Sequence, residues 1–221
     1  MNGDSIAPGK APSSLSDLLA EALSSGRRHI GEILIGEDLT LRHDADENES
    51  EGNLEIFEGA QAGREIARYD ALGEYRPLKT APNLRRGWLL KTGSLAELEL
   101  ALEFFYPAAL GLWSSWLRGV LNPTSFRETL NRQTGMYRIT QLITPQQSEE
   151  LIGRCCTSDG GCLRTILWKI NEGESPSSLP ASKLTMGDLP ADRIPLICRE
   201  VCNLIIAAAR PIAKENLPKA K

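Results

Sequence analysis

Two stretches, Cys155-Cys156-Thr157-Ser158-Asp159-Gly160-Gly161-Cys162 and Cys198-Arg199-Glu200-Val201-Cys202, contain all five cysteines of the chain. Two local groups from distant segments are able to meet at one point, as the ligands of a thiolate-bound metal centre do. In the first stretch, Gly160 and Gly161 permit positive backbone dihedrals, so successive amides can point at sulfur. In the second, Cys198 and Cys202 fall one turn apart on a predicted helix that opens at Pro195 and is ended or kinked by Pro211. Both sulfurs then project from one face as a two-thiolate jaw. Ile205 and Ala209 continue that face, and Leu196, Ile197, Val201 and Leu204 make much of the helix apolar, which would bury the sulfurs in a dry shell. Four such thiolates suit an iron-sulfur cluster or a tetrahedral zinc. The CxxC pairs of zinc ribbons are missing, and the longer spacings with an apolar surround fit the larger cluster better. Inert core thiols, or redox sensing through the vicinal Cys155-Cys156 pair, are the other readings.

The rest of the composition narrows the context. A chain of 221 residues can bury one good core or two small ones. A net charge of -4, with basic residues scattered apart from the Leu217-Pro218-Lys219-Ala220-Lys221 tail, gives no electrostatic footing on nucleic acid. Met1 to Pro12 is small and polar, unlike a signal peptide, and no apolar run approaches the length of a membrane span. The expectation is a cytoplasmic protein without a nucleic-acid or membrane partner. In a reducing compartment, an odd number of clustered cysteines argues for metal or redox chemistry over a disulfide framework.

Outward from the cysteines, the pattern predicts an α+β chain. A small N-terminal domain of antiparallel sheet and helix is followed by a mainly helical metal-binding domain. Residues 1–13, rich in Gly, Pro and Ser, are expected to be a disordered tail. Domains are expected at 14–122 and 123–212, divided at Asn122-Pro123, with a second tail at 213–221. Leu15, Leu18, Leu19, Ala22 and Leu23 repeat at helical spacing behind a Ser14-to-Asp17 capping pattern, and Gly26 ends that helix. Ile33 with Ile35, Leu39 with Leu41, Leu54 with Ile56, Ile66 with Arg68, and Tyr75 to Leu78 read as strands of a sheet reaching about Leu90. Ser94-Leu95-Ala96-Glu97 opens a helix carrying Leu98, Leu102 and Phe105, and a further helix holds Leu110, Trp113, Trp116 and Leu117. Beyond the boundary, a helix is expected from Phe126 to Gln133 and a strand from Met136 to Ile143. A proline-opened helix behind Thr144 then leads to Cys155. Leu163 to Ile170 has no readable period, and Asn171 to Asp188 reads as a loop.

Other features carry less. Asp44 to Ser50 imitates the opening of a calcium loop, but Glu49 stands where the turn demands glycine, so a solvated acidic loop is the better reading. His29 and His43 lie on separate elements, too far apart to form a local metal pair. Trp113 and Trp116 suit core packing better than a ligand platform. There is no phosphate loop, dinucleotide fingerprint or nucleophile elbow. Arg164, Asn203 and Arg210 are candidates to surround a metal centre, where an arginine raises a cluster's potential or meets a carboxylate-rich ligand.

The run Gly160-Gly161-Cys162-Leu163-Arg164-Thr165-Ile166-Leu167-Trp168, with Cys198-Arg199-Glu200-Val201-Cys202-Asn203-Leu204 and Ala207-Ala208-Ala209-Arg210, resembles the 4Fe-4S domain appended to some CbiX-type sirohydrochlorin cobaltochelatases. Upstream, Gly73-Glu74-Tyr75-Arg76-Pro77-Leu78, Ala81-Pro82-Asn83-Leu84 and Gly87-Trp88 are similar to the stabilising domain that precedes the cluster domain there. The resemblance implies a 4Fe-4S cluster held by Cys162, Cys198, Cys202 and one of the Cys155-Cys156 doublet. Cys156 is favoured because it leaves five residues before Cys162. It also implies an accessory, electron-transfer or redox-sensing role beside a separate tetrapyrrole chelatase in cobalamin biosynthesis. The alternative is an interaction module whose metal only stabilises the fold. The chelatase domain of those relatives has no counterpart in this sequence, so metal insertion by the chain alone is not expected.

Overall fold

The computed structural model describes residues 14–122, 124–126, 142–156, 161–169, 190–199 and 201–216. Most of the expected Phe126–Gln133 helix and Met136–Ile143 strand, the Ser158-to-Gly160 turn, the Asn171–Asp188 loop and both expected tails up to residue 13 and beyond residue 216 lie outside the described residues.

The architecture is α+β. Helix α1 (Leu15–Ser24) begins at a full capping box, Ser14 and Asp17 each bonding the other's backbone amide. It is followed by β1 (Arg28–Ile30), β2 (Ile33–Ile35) and β3 (Thr40–His43), three antiparallel strands. The β1–β2 hairpin turns at Gly31, whose φ is +56° and whose missing Cβ leaves room for the Tyr106 ring. Strand β4 (Glu55–Glu58), helix α2 (Ala60–Ile66) and strand β5 (Trp88–Lys91) complete the upstream sheet. α3 (Leu95–Phe105) and α4 (Ala109–Leu117) cover one face together with α1 and α2.

The sheet is mixed, where the sequence predicts antiparallel pairing throughout. Its order is β4-β5-β3-β2-β1-β9, with β4 parallel to β5 and the downstream strand β9 (Arg193–Ile194) parallel to β1. The cause of the first parallel pair is the crossover through α2: Ile66 closes that helix instead of sitting in a strand. Tyr75 to Leu78 is likewise a loop, tethered by isolated bridges between Tyr69 and Tyr75 and between Asp70 and Leu84. At the outer edge, β4 flanks Ile56 and Phe57 with Glu55 and Glu58 and is largely exposed, a charged edge that discourages pairing with another chain.

The described downstream residues include short strands and two helices. Strands β6 (Thr124–Ser125) and β8 (Trp168–Lys169) pair in parallel, as do β7 (Thr165–Ile166) and β10 (Ile197–Cys198). Helix α5 (Pro145–Cys155) starts at a Thr144–Gln147 capping box with proline in its first turn, as the sequence predicts, and packs on α6 (Asn203–Glu215). Helix α6 begins at Asn203 rather than Pro195 and runs through Pro211 to Glu215. Because β9 joins the upstream sheet, and Ile194 and Leu196 enter its core, the two units interlock.

Candidate metal centre

Three segments deliver the cysteines to one place. The last turn of α5 ends at Cys155, and the amide of Cys156 donates to the Ile152 carbonyl at 2.8 Å, closing the helix there. Gly161, with φ +92°, turns the chain into Cys162. The third segment is β10. Thr165 N–H donates to Leu196 O at 2.8 Å and Leu167 N–H to Cys198 O at 2.9 Å, which holds Cys198 beside the strand that follows Cys162.

Cys198 and Cys202 therefore do not share a helix. Cys198 is a strand residue, and Cys202 is the N-cap of α6 with extended backbone. A short buried strand in a parallel pair presents the same unbroken apolar run as a buried helix, which is why Leu196-Ile197 misleads. The two sulfurs still face a common cavity, with Cys202 at the amide-rich end of a helix that favours negative charge.

All five cysteines line that cavity, whose volume is about 10 Å³. Leu78, Ile166 and Ile205 supply apolar walls, and Thr80 and Arg164 supply polar ones. Cys155, Cys156, Cys162 and Cys198 are buried, and Cys202 is half-buried. Among the described residues, no group of three or more His, Cys, Asp or Glu side chains is placed to hold a single metal ion. The sulfurs ring a volume instead of a point.

Charge decides what such a ring accepts. Burial pushes the Cys156 thiol far up, and the surrounding Cys198, Cys162, Cys202 and Cys155 add to the shift. Burial pushes Cys198 up to about 12, against the opposing charge and hydrogen bond of Arg164. Burial raises Cys155 as well, with Arg154 bonding its sulfur and pulling the other way. A group that takes these sulfurs as thiolates must bring compensating positive charge, and binding it releases protons. The iron of a cluster does so, and a dry all-sulfur surround is the donor set it takes. The residues fit a 4Fe-4S group.

Of the other sequence candidates, only Arg164 reaches the cavity; Asn203 and Arg210 are exposed on α6. His29 and His43 sit in β1 and β3, and neither lines the cavity. His43 Nε2 is 3.6 Å from Glu32 and its Nδ1 is 3.0 Å from Asp44, so it is a satisfied core residue. Trp113 belongs to the upstream core, with Trp116 packed against it. Sequence reasoning missed Thr80 and Leu78. They come from the loop after Tyr75 and line the cavity, and Thr80 meets Cys162 across a separation of 82 residues, for which no local pattern gives a sign.

Residues 17–117 match the family model of a DR2241 stabilising domain, and residues 118–211, which include every cysteine, match that of a 4Fe-4S iron-sulfur cluster binding domain. The chain joins a stabilising domain to a 4Fe-4S cluster-binding domain. Its cofactor is a 4Fe-4S cluster. The fold is similar to a solved structure of DR2241 from Deinococcus radiodurans, described as a multi-domain protein with structural similarity to chelatases but also with two additional novel domains. The TM-score is 0.69 at 27% identity, over 91% of this chain and 42% of that one, so the cluster protein spans less than half the length of this relative. No curated protein matches it. Among the described residues, no helix is long and apolar enough to cross a membrane.

Proposed function

We propose that Cys156, Cys162, Cys198 and Cys202 hold the cluster, and that the protein is an accessory, electron-transferring or redox-sensing partner of a sirohydrochlorin cobaltochelatase in cytoplasmic cobalamin biosynthesis. The observation that carries the reading is the ring of sulfurs around one buried cavity, inside the residues that match the cluster-binding family. Cys156 is the fourth ligand in preference to Cys155. Burial and then the charges of Cys198, Cys162 and Cys202 act on it, whereas for Cys155 the hydrogen bond and charge of Arg154 stand ahead of the charges of Cys202 and Cys162. The pathway assignment draws on the chelatase similarity of the Deinococcus relative and is argued by analogy.

Insertion of cobalt needs groups that hold the metal and take protons from pyrrole nitrogens, work suited to neutral imidazoles and carboxylates beside a large cleft. Both histidines of this chain are built into the upstream sheet, so the chain acts with a separate chelatase rather than as one. Cobalt insertion into sirohydrochlorin is measured with this protein alone, with a stand-alone chelatase, and with both, alongside a low-salt pull-down. The protein alone is expected to be inactive, and the pair is expected to bind and to insert cobalt faster than the chelatase by itself. Robust insertion by this chain alone overturns the accessory role; no binding and no effect on the chelatase removes the partnership.

A second reading has its own support. Cys155, Cys156 and Cys198 are members of a buried apolar cluster with Phe126, Ile152, Ile166, Val201 and Ile205, so the cluster also acts as a structural cross-link. Under that reading the oxidation state has no effect on partner binding, whereas the redox-sensing role requires that it does.

A further inference from the structure

Thr80 belongs to the stabilising domain, yet it is one of the two polar side chains on the cysteine cavity. It is 3% exposed, and its Oγ1 lies 3.4 Å from Cys162 Sγ. Its carbonyl accepts the amide of Leu163 at 2.8 Å. The hydroxyl and the carbonyl of one residue thus grip the Cys162-Leu163 step from across the domain boundary.

The grip is held from behind by Arg76, itself 1% exposed. Its Nη2 donates to the carbonyls on either side of Thr80, Lys79 O at 3.0 Å and Ala81 O at 2.9 Å, while Nε donates to Asn83 Oδ1 at 3.0 Å. Nη2 stands 3.8 Å from Glu32, and Nη1 is buried without a hydrogen-bond partner among the described residues. Leaving one arm of a buried guanidinium unbonded is costly. The fork is tolerated because it fixes a loop that no regular strand or helix supports.

We propose that Thr80 is a positioning residue for the cluster: its hydroxyl donates to the Cys162 sulfur and raises the cluster's reduction potential. The proposal rests on the reading of Cys162 as a ligand. When Cys162 is a thiol either partner can donate, but a metal-bound thiolate has no proton to give, so only the hydroxyl can. A hydrogen bond to a ligand sulfur withdraws charge from it, stabilises the more negative reduced cluster, and moves the potential upward. By this route the stabilising domain, through Arg76 and Thr80, sets the electronic state of a centre whose cysteines all belong to the other domain.

The test is an anaerobic redox titration of the full reconstituted chain, followed by the paramagnetic signal of the reduced cluster, with iron and sulfide content measured on every sample. Thr80→Val is expected to keep its cluster and titrate at a more negative potential than the unaltered protein, and Thr80→Ser to return to the original value. Should the valine fail to fold, Thr80→Ala compared with Thr80→Ser isolates the hydroxyl at nearly equal volume, and the alanine is expected to be the more negative. Equal potentials for Ala and Ser, both fully loaded, overturn the role of Thr80. Cys162→Ser run in parallel separates the two failures: loss of its cluster leaves the ligand standing whatever Thr80 does, whereas full loading removes the ligand reading and the proposal with it.

Discussion

Around Trp88 and Phe105, whose rings stack 5.3 Å apart, the mixed sheet and helices α1 to α4 close one continuous apolar core. Around Cys156 and Cys198, the buried residues fall into smaller, separate groups, and the cysteines themselves are part of the packing. The difference teaches what each half needs. In the upstream half, burial of large apolar side chains is enough to offset the entropy of ordering the chain. Among the described residues of the downstream half, short two-residue strands and a pair of helices surround a cavity, and a cluster bound there would cross-link segments that pack in smaller groups. The halves are not independent, because β9 and the Thr80 loop cross between them.

The largest effect that divides the halves follows from removing the cluster. Hydrogen exchange on cluster-free protein is expected to lose protection by orders of magnitude across α5, β7, β8 and α6, while β1 to β5 and α3 keep theirs. Residual protection is expected at β9, which the upstream sheet holds through His29 N–H to Asp192 O at 2.8 Å. Unchanged protection across both halves would break the contrast.

Core truncations sharpen it. Trp88→Ala is expected to cost about 3–5 kcal/mol and to lower the melting temperature of the whole chain, with the cluster lost in the same transition. Ile205→Ala, at a buried position on the cavity wall, is expected to cost about 2–5 kcal/mol in the downstream half. In cluster-loaded protein it is expected to leave the upstream transition in place. Thermal unfolding followed separately by visible absorption and far-ultraviolet dichroism tells the two apart.

A smaller effect belongs to the upstream half alone. Burial opposes charge on His43, but the hydrogen bonds and charges of Asp44 and Glu32 outweigh it and raise its pKa to about 9. Glu32 is itself shared with Arg76 and with the amide of Leu84. A raised pKa means that the imidazolium contributes stability fully below the ordinary histidine value. That contribution falls as pH rises through about 9. Above that pH the neutral ring accepts the Ala45 amide at Nδ1, 3.0 Å away, keeps its proton on Nε2 facing Glu32, and has lost its charge. The stability of the upstream transition is expected to drop by about 1–3 kcal/mol between pH 6 and pH 10, and His43→Gln to flatten most of that slope. The smallest expected change is at the surface pair of Lys91 and Glu51, 2.9 Å apart and about half exposed, where Glu51→Gln is expected to alter stability by about 0–1 kcal/mol.

How much of this was legible in the sequence depended on whether the deciding contact was local. The Ser14 and Thr144 capping boxes were readable because cap and partner lie three residues apart. At Ser94 the same pattern was right about the helix and wrong in detail: Glu97 reaches the amide of Gly93 at 2.7 Å, outside the box. The cysteine constellation was visible as residue types and spacing, but its geometry was not. Cys198 lies in a strand because a partner more than thirty residues away bonds its backbone, and the apolar run around it carries no period to reveal that. The mixed sheet was hidden for the same reason, since β9 comes from beyond the first cysteines. Thr80 and Arg76 had no sequence signal at all, being an ordinary threonine and a buried arginine in a loop defined only by tertiary contacts.

The central claim is that the sulfurs of Cys156, Cys162, Cys198 and Cys202, and not that of Cys155, hold the cluster in the cavity. Its most direct test is the iron, acid-labile sulfide and zinc content of anaerobically purified protein, compared between Cys155→Ser and Cys156→Ser. The unaltered protein and Cys155→Ser are expected to be brown, with about four irons and four sulfides per chain and no stoichiometric zinc; Cys156→Ser is expected to lose most of both. A full cluster in Cys156→Ser, or colourless protein carrying zinc that no reconstitution replaces, would contradict the account.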